Sequence, residues 1–224
     1  MVKPRLWDKL LFLIYPNSCM CCAEPIDSGS YICGDCLREL NKLRSDKVRR
    51  FSHKRREVRV CSVYRYDGVA ASAIKRLKFG YAATSARPLG VALANRVRRL
   101  KCDRFDVVCC VPMTGRAVAE RGFNQAELIA RVTARELGIK YVPRAVSKIR
   151  ETAEQHKLQG SARLRNVSGA FKADSRAVSG RSVLIIDDVV TTGATLCECT
   201  AALLSAGAKS VFCATVASAA KAGR

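Results

Sequence analysis

An α/β fold carried on an open, mostly parallel sheet is predicted for residues 57–224, with a small module ahead of it. Three observations predict it. Short apolar runs of strand character alternate with stretches of helical periodicity. Two of those runs, "DVVCCVP" (106–112) and "SVLIID" (182–187), are apolar without alternation, as strands covered on both faces are. Glycines stand where the helical stretches end, at Gly138 and Gly207.

Taken in order, "EVRVCSVYRY" (57–66) alternates and is rich in β-branched residues, which predicts a strand. In "VAASAIKRLKF" (69–79) Val69, Ala73, Ile74 and Leu77 share one helical face. "PLGVALANRVRRL" (88–100) puts Pro88 at a first helical position and closes in arginines, as the helix dipole favours. "DVVCCVP" reads as a buried strand and "NQAELIARVTAREL" (124–137) as an amphipathic helix. Residues 147–168 are polar and aperiodic, which predicts a long loop. "SVLIID" is a second buried strand, "TLCECTAALLSAG" (195–207) a helix, and "SVFCATVA" (210–217) the last strand.

Residues 1–56 differ in character, and a boundary is expected near residue 57. They hold an apolar turn "LLFLIYP", read as a short docking helix, and five cysteines between 19 and 36. A basic stretch from Arg38 to Arg59 carries ten Lys or Arg against Glu39, Asp46 and Glu57 and reads as a solvated linker. His53 within it is expected in solvent rather than on a metal. No apolar run reaches the roughly 18–20 residues that span a bilayer, so stable membrane insertion is not expected. Across the chain 40 Lys and Arg face 19 acidic residues, a formal charge of +21. That excess fits a phosphorylated small molecule, nucleic acid or both, or no more than a solubility device. The 12 cysteines, several inside apolar runs, are expected reduced in a cytoplasmic protein.

Four of the cysteines have a different logic. Cys19-x-x-Cys22 and Cys33-x-x-Cys36 are two knuckles ten residues apart, the spacing of one tetrahedral, structural Zn²⁺. Cys21 is an extra thiol that fits the spacing less well. A stretch this short has little core of its own, so the metal is expected to supply much of its stability.

The densest chemistry lies in "SVLIIDDVVTTGATLCECT" (182–200). Asp187 and Asp188 follow a buried strand, where open parallel sheets bind ligands. Val190, Thr191, Thr192, Gly193, Ala194 and Thr195 then turn into a helix whose first amides attract anions. The hydroxyls add donors and Gly193 permits close approach. A phosphate suits the turn; a sugar diol, or Mg²⁺ on that diol, suits the acids. A plain helix cap would need one acid only.

"VLIIDDVVTTGAT" (183–195) resembles the 5-phosphoribosyl-1-pyrophosphate (PRPP) binding motif of type I phosphoribosyltransferases. "VPMTGRAVAERGFNQAELIA" (111–130), "YDGVAASAIKRLKFGY" (66–81) and the spaced set Lys148, Thr152, Gln155, Leu158, Arg163, Asn166 and Phe171 are similar to the ComF family. The resemblance implies a doubly wound, mostly parallel sheet of the type I phosphoribosyltransferase kind with an N-terminal zinc-ribbon-like module. It implies PRPP with Mg²⁺, a ribose on Asp187 and Asp188, and a 5′-phosphate on Val190 to Thr195. Arg121, Gly122, Asn124 and Gln125 follow the loop that would meet pyrophosphate. Single-stranded DNA and a helicase of DNA uptake are the implied macromolecular partners.

Thr114, Gly115 and Arg116 follow the 106–112 strand, with Arg121 beyond, and offer pyrophosphate the donors it needs if that strand is parallel to 182–187. Lys148, Arg150 and Arg163 lie on or beside the polar loop, which reads as a lid able to exclude water; His156 within it is expected exposed. The activity implied is transfer of the phosphoribosyl group to a nitrogen acceptor, with a non-catalytic PRPP sensor that binds single-stranded DNA as the alternative. The family is often labelled amidophosphoribosyltransferase-like, and the chain's lack of a glutaminase domain and of an N-terminal Cys nucleophile counts against that label.

Overall fold

The structure, a computed structural model, describes residues 18–27, 29–53, 56–78, 82–100, 104–150 and 169–219. The apolar N-terminal turn and the expected lid positions Thr152, Gln155, His156, Leu158, Arg163 and Asn166 lie outside the described residues.

The strand-forming runs come together as one six-stranded sheet. In chain order the elements are α1 (Gly34–Lys42), β1 (Val48–His53), β2 (Arg56–Arg65), α2 (Gly68–Lys78), α3 (Ala82–Arg98), β3 (Val107–Cys110), α4 (Gly115–Arg121) and α5 (Gln125–Leu137). There follow β4 (Lys140–Tyr141), β5 (Val146–Lys148), β6 (Phe171–Ala173), α6 (Ser175–Val178), β7 (Ser182–Val190), α7 (Ala194–Ser205) and β8 (Ser210–Ser218). The sheet order is β1-β2-β8-β7-β3-β4, and only the β1–β2 pair is antiparallel. β7 and β8, the most apolar runs, occupy the centre, where both faces are covered.

Two apolar layers sandwich the sheet. On one face Leu184, Ile186, Ala214 and Val216 pack with Ile74 and Leu77 of α2, Leu89 and Leu93 of α3 and Ile129 of α5. On the other Val183, Ile185 and Cys213 pack with Leu196, Cys199 and Leu203 of α7 and with Val146 and Phe171 of the β5–β6 pair. Helices on both faces of a largely parallel sheet make the fold doubly wound, as expected.

Three local expectations need correction. The basic stretch is not a solvated linker: Val48–His53 forms β1 and pairs with β2 from Val48↔Cys61 to His53↔Arg56. Its arginines are partly or fully exposed while Phe51 and His53 turn inward, so alternation was present under the charge. The expected boundary near 57 therefore falls within this hairpin. Pro88 is not at a helix start but inside α3, which begins at Ala82. β7 does not stop at the acids; it runs on to Val190 because β8 continues to pair with it at Asp187↔Thr215, Val189↔Ala217 and Val190↔Ser218.

The N-terminal cysteine segment shares the first apolar layer. Cys19, Met20, Cys21, Cys36, Leu40 and Leu43 are buried in the same cluster as α2 and α3. Buried Arg96 of α3 ties the connection down, donating to the carbonyls of Ser45 (3.1 Å) and Asp46 (2.7 Å).

Candidate functional site

Because β2, β3, β7 and β8 are parallel, their carboxyl ends share one edge. That edge gathers Asp187, Asp188, the turn after β7 and the segment after β3. The condition set for Thr114–Arg116 is thus met: β3 is parallel to β7, with Cys110 beside Ile186.

Asp187 and Asp188 are half-buried and differ in their partners. Asp187 Oδ1 accepts the Asp188 amide at 2.8 Å, and Asp188 Oδ1 accepts the Val189 amide at 2.7 Å. Asp188 also holds Lys78 Nζ, the last residue of α2, at 2.9 Å in a pair less than one-fifth exposed. Burial, and then the neighbouring Asp188 carboxylate, push the Asp187 carboxyl well above its ordinary range; the Asp188 amide and Lys78 offset this only in part. Asp188 is thus ion-paired with Lys78, while Asp187 is pushed toward its protonated form. A cation or a set of hydroxyl donors would relieve that strain, and carboxylate oxygens are the donors Mg²⁺ takes.

Behind the acids, Thr191 and Thr192 are exposed, and Gly193 has φ +77°. The amides of Thr191, Thr192 and Gly193 make no hydrogen bond to a described residue, while the Ala194 amide has only the Thr192 hydroxyl at 3.4 Å. α7 has no side-chain cap at its start. The turn thus offers open donors at a helix N-terminus, the arrangement that holds phosphate.

Gly193 is required twice over. Its φ disfavours any side chain, and an added Cβ would stand 2.4 Å from Phe51 Cβ on β1. Gly193→Ala is expected to cost about 2–4 kcal/mol, read as a drop in melting temperature. Gly138→Ala is the control: its φ is +69° but nothing lies within 4 Å, so it reports backbone strain alone. Equal losses in the two variants would show that the Phe51 contact is slack.

The segment after β3 is a short helix, not the open loop expected. Thr114 caps α4 by accepting the Ala117 amide at 3.2 Å, and Arg116 Nε donates to Glu120 at 2.8 Å. Gly115 begins the helix, and Arg121, at its end, is half-buried with Nη1 3.9 Å from Met113 Sδ. Asn124 is buried and structural: it donates to the Val111 carbonyl at 3.0 Å and caps α5 through the Ala126 amide. Lys148 ends β5 opposite Phe171.

His53 is buried, contrary to expectation, with Nε2 3.6 Å from Glu198 Oε1 on α7. Glu198 also faces Arg56 at 3.7 Å and accepts the Gly169 amide at 3.1 Å. Phe51, His53 and Glu198 therefore join the first hairpin to the helix that begins at the turn. Sequence reasoning missed them, and Lys78, because their partners lie far away in the chain.

The second constellation is the cysteine set. The sulfurs of Cys19, Cys22, Cys33 and Cys36 all lie within 4.8 Å of one another, with Cys22 and Cys33 at 3.8 Å. Four thiolates bound at about 2.3 Å around a tetrahedral Zn²⁺ stand roughly 3.8 Å apart, so the set fits. Cys19 Sγ accepts the amides of Cys21 (3.5 Å) and Cys33 (3.4 Å), and Cys33 Sγ that of Cys36 (3.5 Å). Burial alone would raise the Cys19 thiol, but these and the Cys22 amide bring it down to about 6. Burial and the adjacent sulfurs push Cys36 up, so a metal must displace its proton. Cys21 stays out of the set, buried and pushed up to about 12.

Residues 90–224 match the family described as the phosphoribosyl transferase domain. The chain is 33% identical to the DNA utilization protein YhgH of Salmonella typhi, over 86% of this chain and 80% of that one. It is 29% identical to Competence protein F of Haemophilus influenzae, over 86% of each. Among solved structures, adenine phosphoribosyltransferase from Thermoanaerobacter pseudethanolicus aligns with a TM-score of 0.40 and 14% identity, over 81% of this chain and 99% of that one. Among the described residues no helix is long and apolar enough to cross a membrane.

Proposed function

The chain belongs to the phosphoribosyl transferase domain family, in its ComF branch, and from that premise we propose that it binds PRPP with Mg²⁺ and transfers the phosphoribosyl group to a nitrogen acceptor. The observation that carries this is the strained Asp187 beside Asp188 on β7, directly ahead of a turn with unengaged amides. In this reading the ribose hydroxyls donate to the two carboxylates, and the 5′-phosphate accepts from the amides and hydroxyls of Val190 to Thr195. Asp187 and Asp188 would hold the Mg²⁺, which would supply charge neutralisation.

Thr114, Gly115, Arg116, Arg121 and Lys148 stand for the leaving group. The bond from C1′ to the pyrophosphate oxygen breaks with its electron pair going to pyrophosphate, and C1′ gains oxocarbenium character. Fixed positive charge on the departing oxygens stabilises that state more than the ground state. The nitrogen lone pair then forms the C1′–N bond, and the nitrogen's surplus proton passes to water. The proposal divides the chain into a cysteine module over 1–56, holding structural Zn²⁺ on Cys19, Cys22, Cys33 and Cys36 and lending its last strand, β1, to the sheet, and a transferase-like domain over 57–224.

A second reading is favoured by specific contacts: the Thr114 hydroxyl already caps α4 and Arg116 already pairs with Glu120. Under it the protein holds PRPP without turnover and serves DNA uptake through single-stranded DNA and a helicase. Its relatives' names and the +21 charge support a DNA-related role.

Calorimetric titration with PRPP, with and without Mg²⁺, separates both from neither. Saturable Mg²⁺-dependent binding that ribose 5-phosphate and pyrophosphate mimic only weakly is the expected result; equal heats for PRPP and pyrophosphate alone would refute the sugar site. Release of pyrophosphate in the presence of ammonia or an amine then distinguishes transfer from sensing.

A further inference from the structure

Between the cysteine module and α3 lies a cavity of about 90 Å³ that none of the residues assigned above lines. Its walls are Arg44, Ser45 and Asp46 from the segment joining α1 to β1, Asn95 and Arg96 from the last turns of α3 and Arg99 just beyond it, together with the apolar Val63 and Ala92. We infer that this cavity binds a phosphate group, either a diester of a polynucleotide backbone or free phosphate, as a site separate from the carboxylate pair.

Three arginines line it against one acidic residue, Asp46. Arg96 is the fixed one: it is 6% exposed, and its Nε and Nη2 are committed to the Ser45 and Asp46 carbonyls. Held along its Nε–Nη2 edge, its guanidinium cannot swing away, so the remaining donor, Nη1, is pre-oriented. Arg44 and Arg99 are exposed and make no side-chain hydrogen bond or ion pair with a described residue. Asn95 Oδ1 accepts from Arg98 at 3.0 Å, which turns its amide nitrogen into a remaining donor.

One water occupies roughly 10–15 Å³ on this measure, so the space has room for a tetrahedron of four oxygens with water beside it. Guanidiniums with one rigid member and two mobile ones suit a phosphate better than a carboxylate alone would require. Asp46 and the carbonyl end of α3 oppose an anion, and they set the sign of one test variant.

The experiment compares Arg44→Gln/Arg99→Gln, Asp46→Asn and, as an equal-charge control away from the cavity, Arg176→Gln/Lys209→Gln. Fluorescence anisotropy follows a labelled single-stranded oligonucleotide over a salt series, and inorganic phosphate is titrated calorimetrically. All substituted residues are exposed, so the fold is kept. If the ligand is a polynucleotide diester, the double arginine variant loses oligonucleotide affinity by about tenfold or more. Its log–log salt slope then falls by roughly 1.4, two contacts at 0.7 each. Asp46→Asn moves affinity upward and the control changes it far less. If the ligand is free phosphate, the same variants change the phosphate titration in the same directions and leave the oligonucleotide slope alone. Equal losses in the cavity and control variants, or no change in either titration, overturn the site.

Discussion

Asp187→Asn severely weakens PRPP binding and at the same time raises the melting temperature of the ligand-free protein. Both halves follow from one carboxyl held in a place that resists its charge. Burial and the Asp188 carboxylate raise its proton affinity, and each unit of elevation represents about 1.4 kcal/mol of disfavour for the charged form. For a chain of this size that is roughly 3–6 °C of melting temperature per unit. The amide of Asn removes the charge and the repulsion but keeps the oxygen that accepts the Asp188 amide. Two charge-assisted hydrogen bonds from a diol are worth about 1.5–3 kcal/mol each, so binding falls by about a hundredfold or more.

The pH dependence has a definite sign. The folded state keeps a proton on Asp187 that the unfolded chain gives up near 3.8, so between that value and the raised folded one stability falls as pH rises. PRPP affinity runs the other way, since the ligand needs the carboxylate. It weakens by up to tenfold per pH unit once the pH drops below the folded value, and at a higher pH than for an ordinary aspartate. Asp187→Asn flattens both profiles. Asp188→Asn behaves differently, because it leaves Lys78 without its 2.9 Å partner at 16% exposure; it loses ligand affinity and stability together. Calorimetry and thermal denaturation across pH measure all of this. Undiminished PRPP binding by Asp187→Asn would remove the sugar site from β7.

What could be read in advance was what is local. "SVLIIDDVVTTGAT" carries strand, acids, turn and helix start in consecutive residues, and the structure keeps them in that order on one sheet edge. The two Cys-x-x-Cys knuckles were equally local, and their sulfurs do converge. The extent of β7 was not legible, because whether Asp187 to Val190 stay in a ladder depends on β8, more than twenty residues away. β1 was hidden by composition: with arginines on its outward positions, the alternation that buries Phe51 and His53 looked like a charged linker. The supports of the site were beyond reach for a related reason. Phe51 against Gly193 and Lys78 on Asp188 each join residues more than a hundred positions apart, and nothing in either local pattern announces the other.

Chelation of zinc from the cysteine set is expected to unravel residues 18–27 and 29–43 and to loosen α2, while leaving β1 folded. Structural zinc in small modules supplies about 10–16 kcal/mol of apparent binding energy, against roughly 5–15 kcal/mol for the net stability of a whole domain. Without it, Cys36 holds a proton that burial favours, Cys19 remains largely ionised at neutral pH, and the knuckles lose their common centre. The damage passes inward because Met20, Leu40 and Leu43 share one apolar cluster with Ile74 and Leu77 of α2. It stops short of β1, whose six residues pair with β2 and whose Phe51 packs in the opposite layer. Hydrogen exchange should therefore show protection lost over 18–27 and 29–43, reduced over 68–78 and kept over 48–53, although all of 18–53 precedes the expected boundary. Cys36→Ser, which removes one ligand at nearly unchanged side-chain volume, should reproduce the pattern with less than one equivalent of bound zinc. Exchange that stays unchanged after the metal has been stripped to below a tenth of an equivalent would mean that these four thiols are merely core, held by the same apolar cluster that buries Cys21.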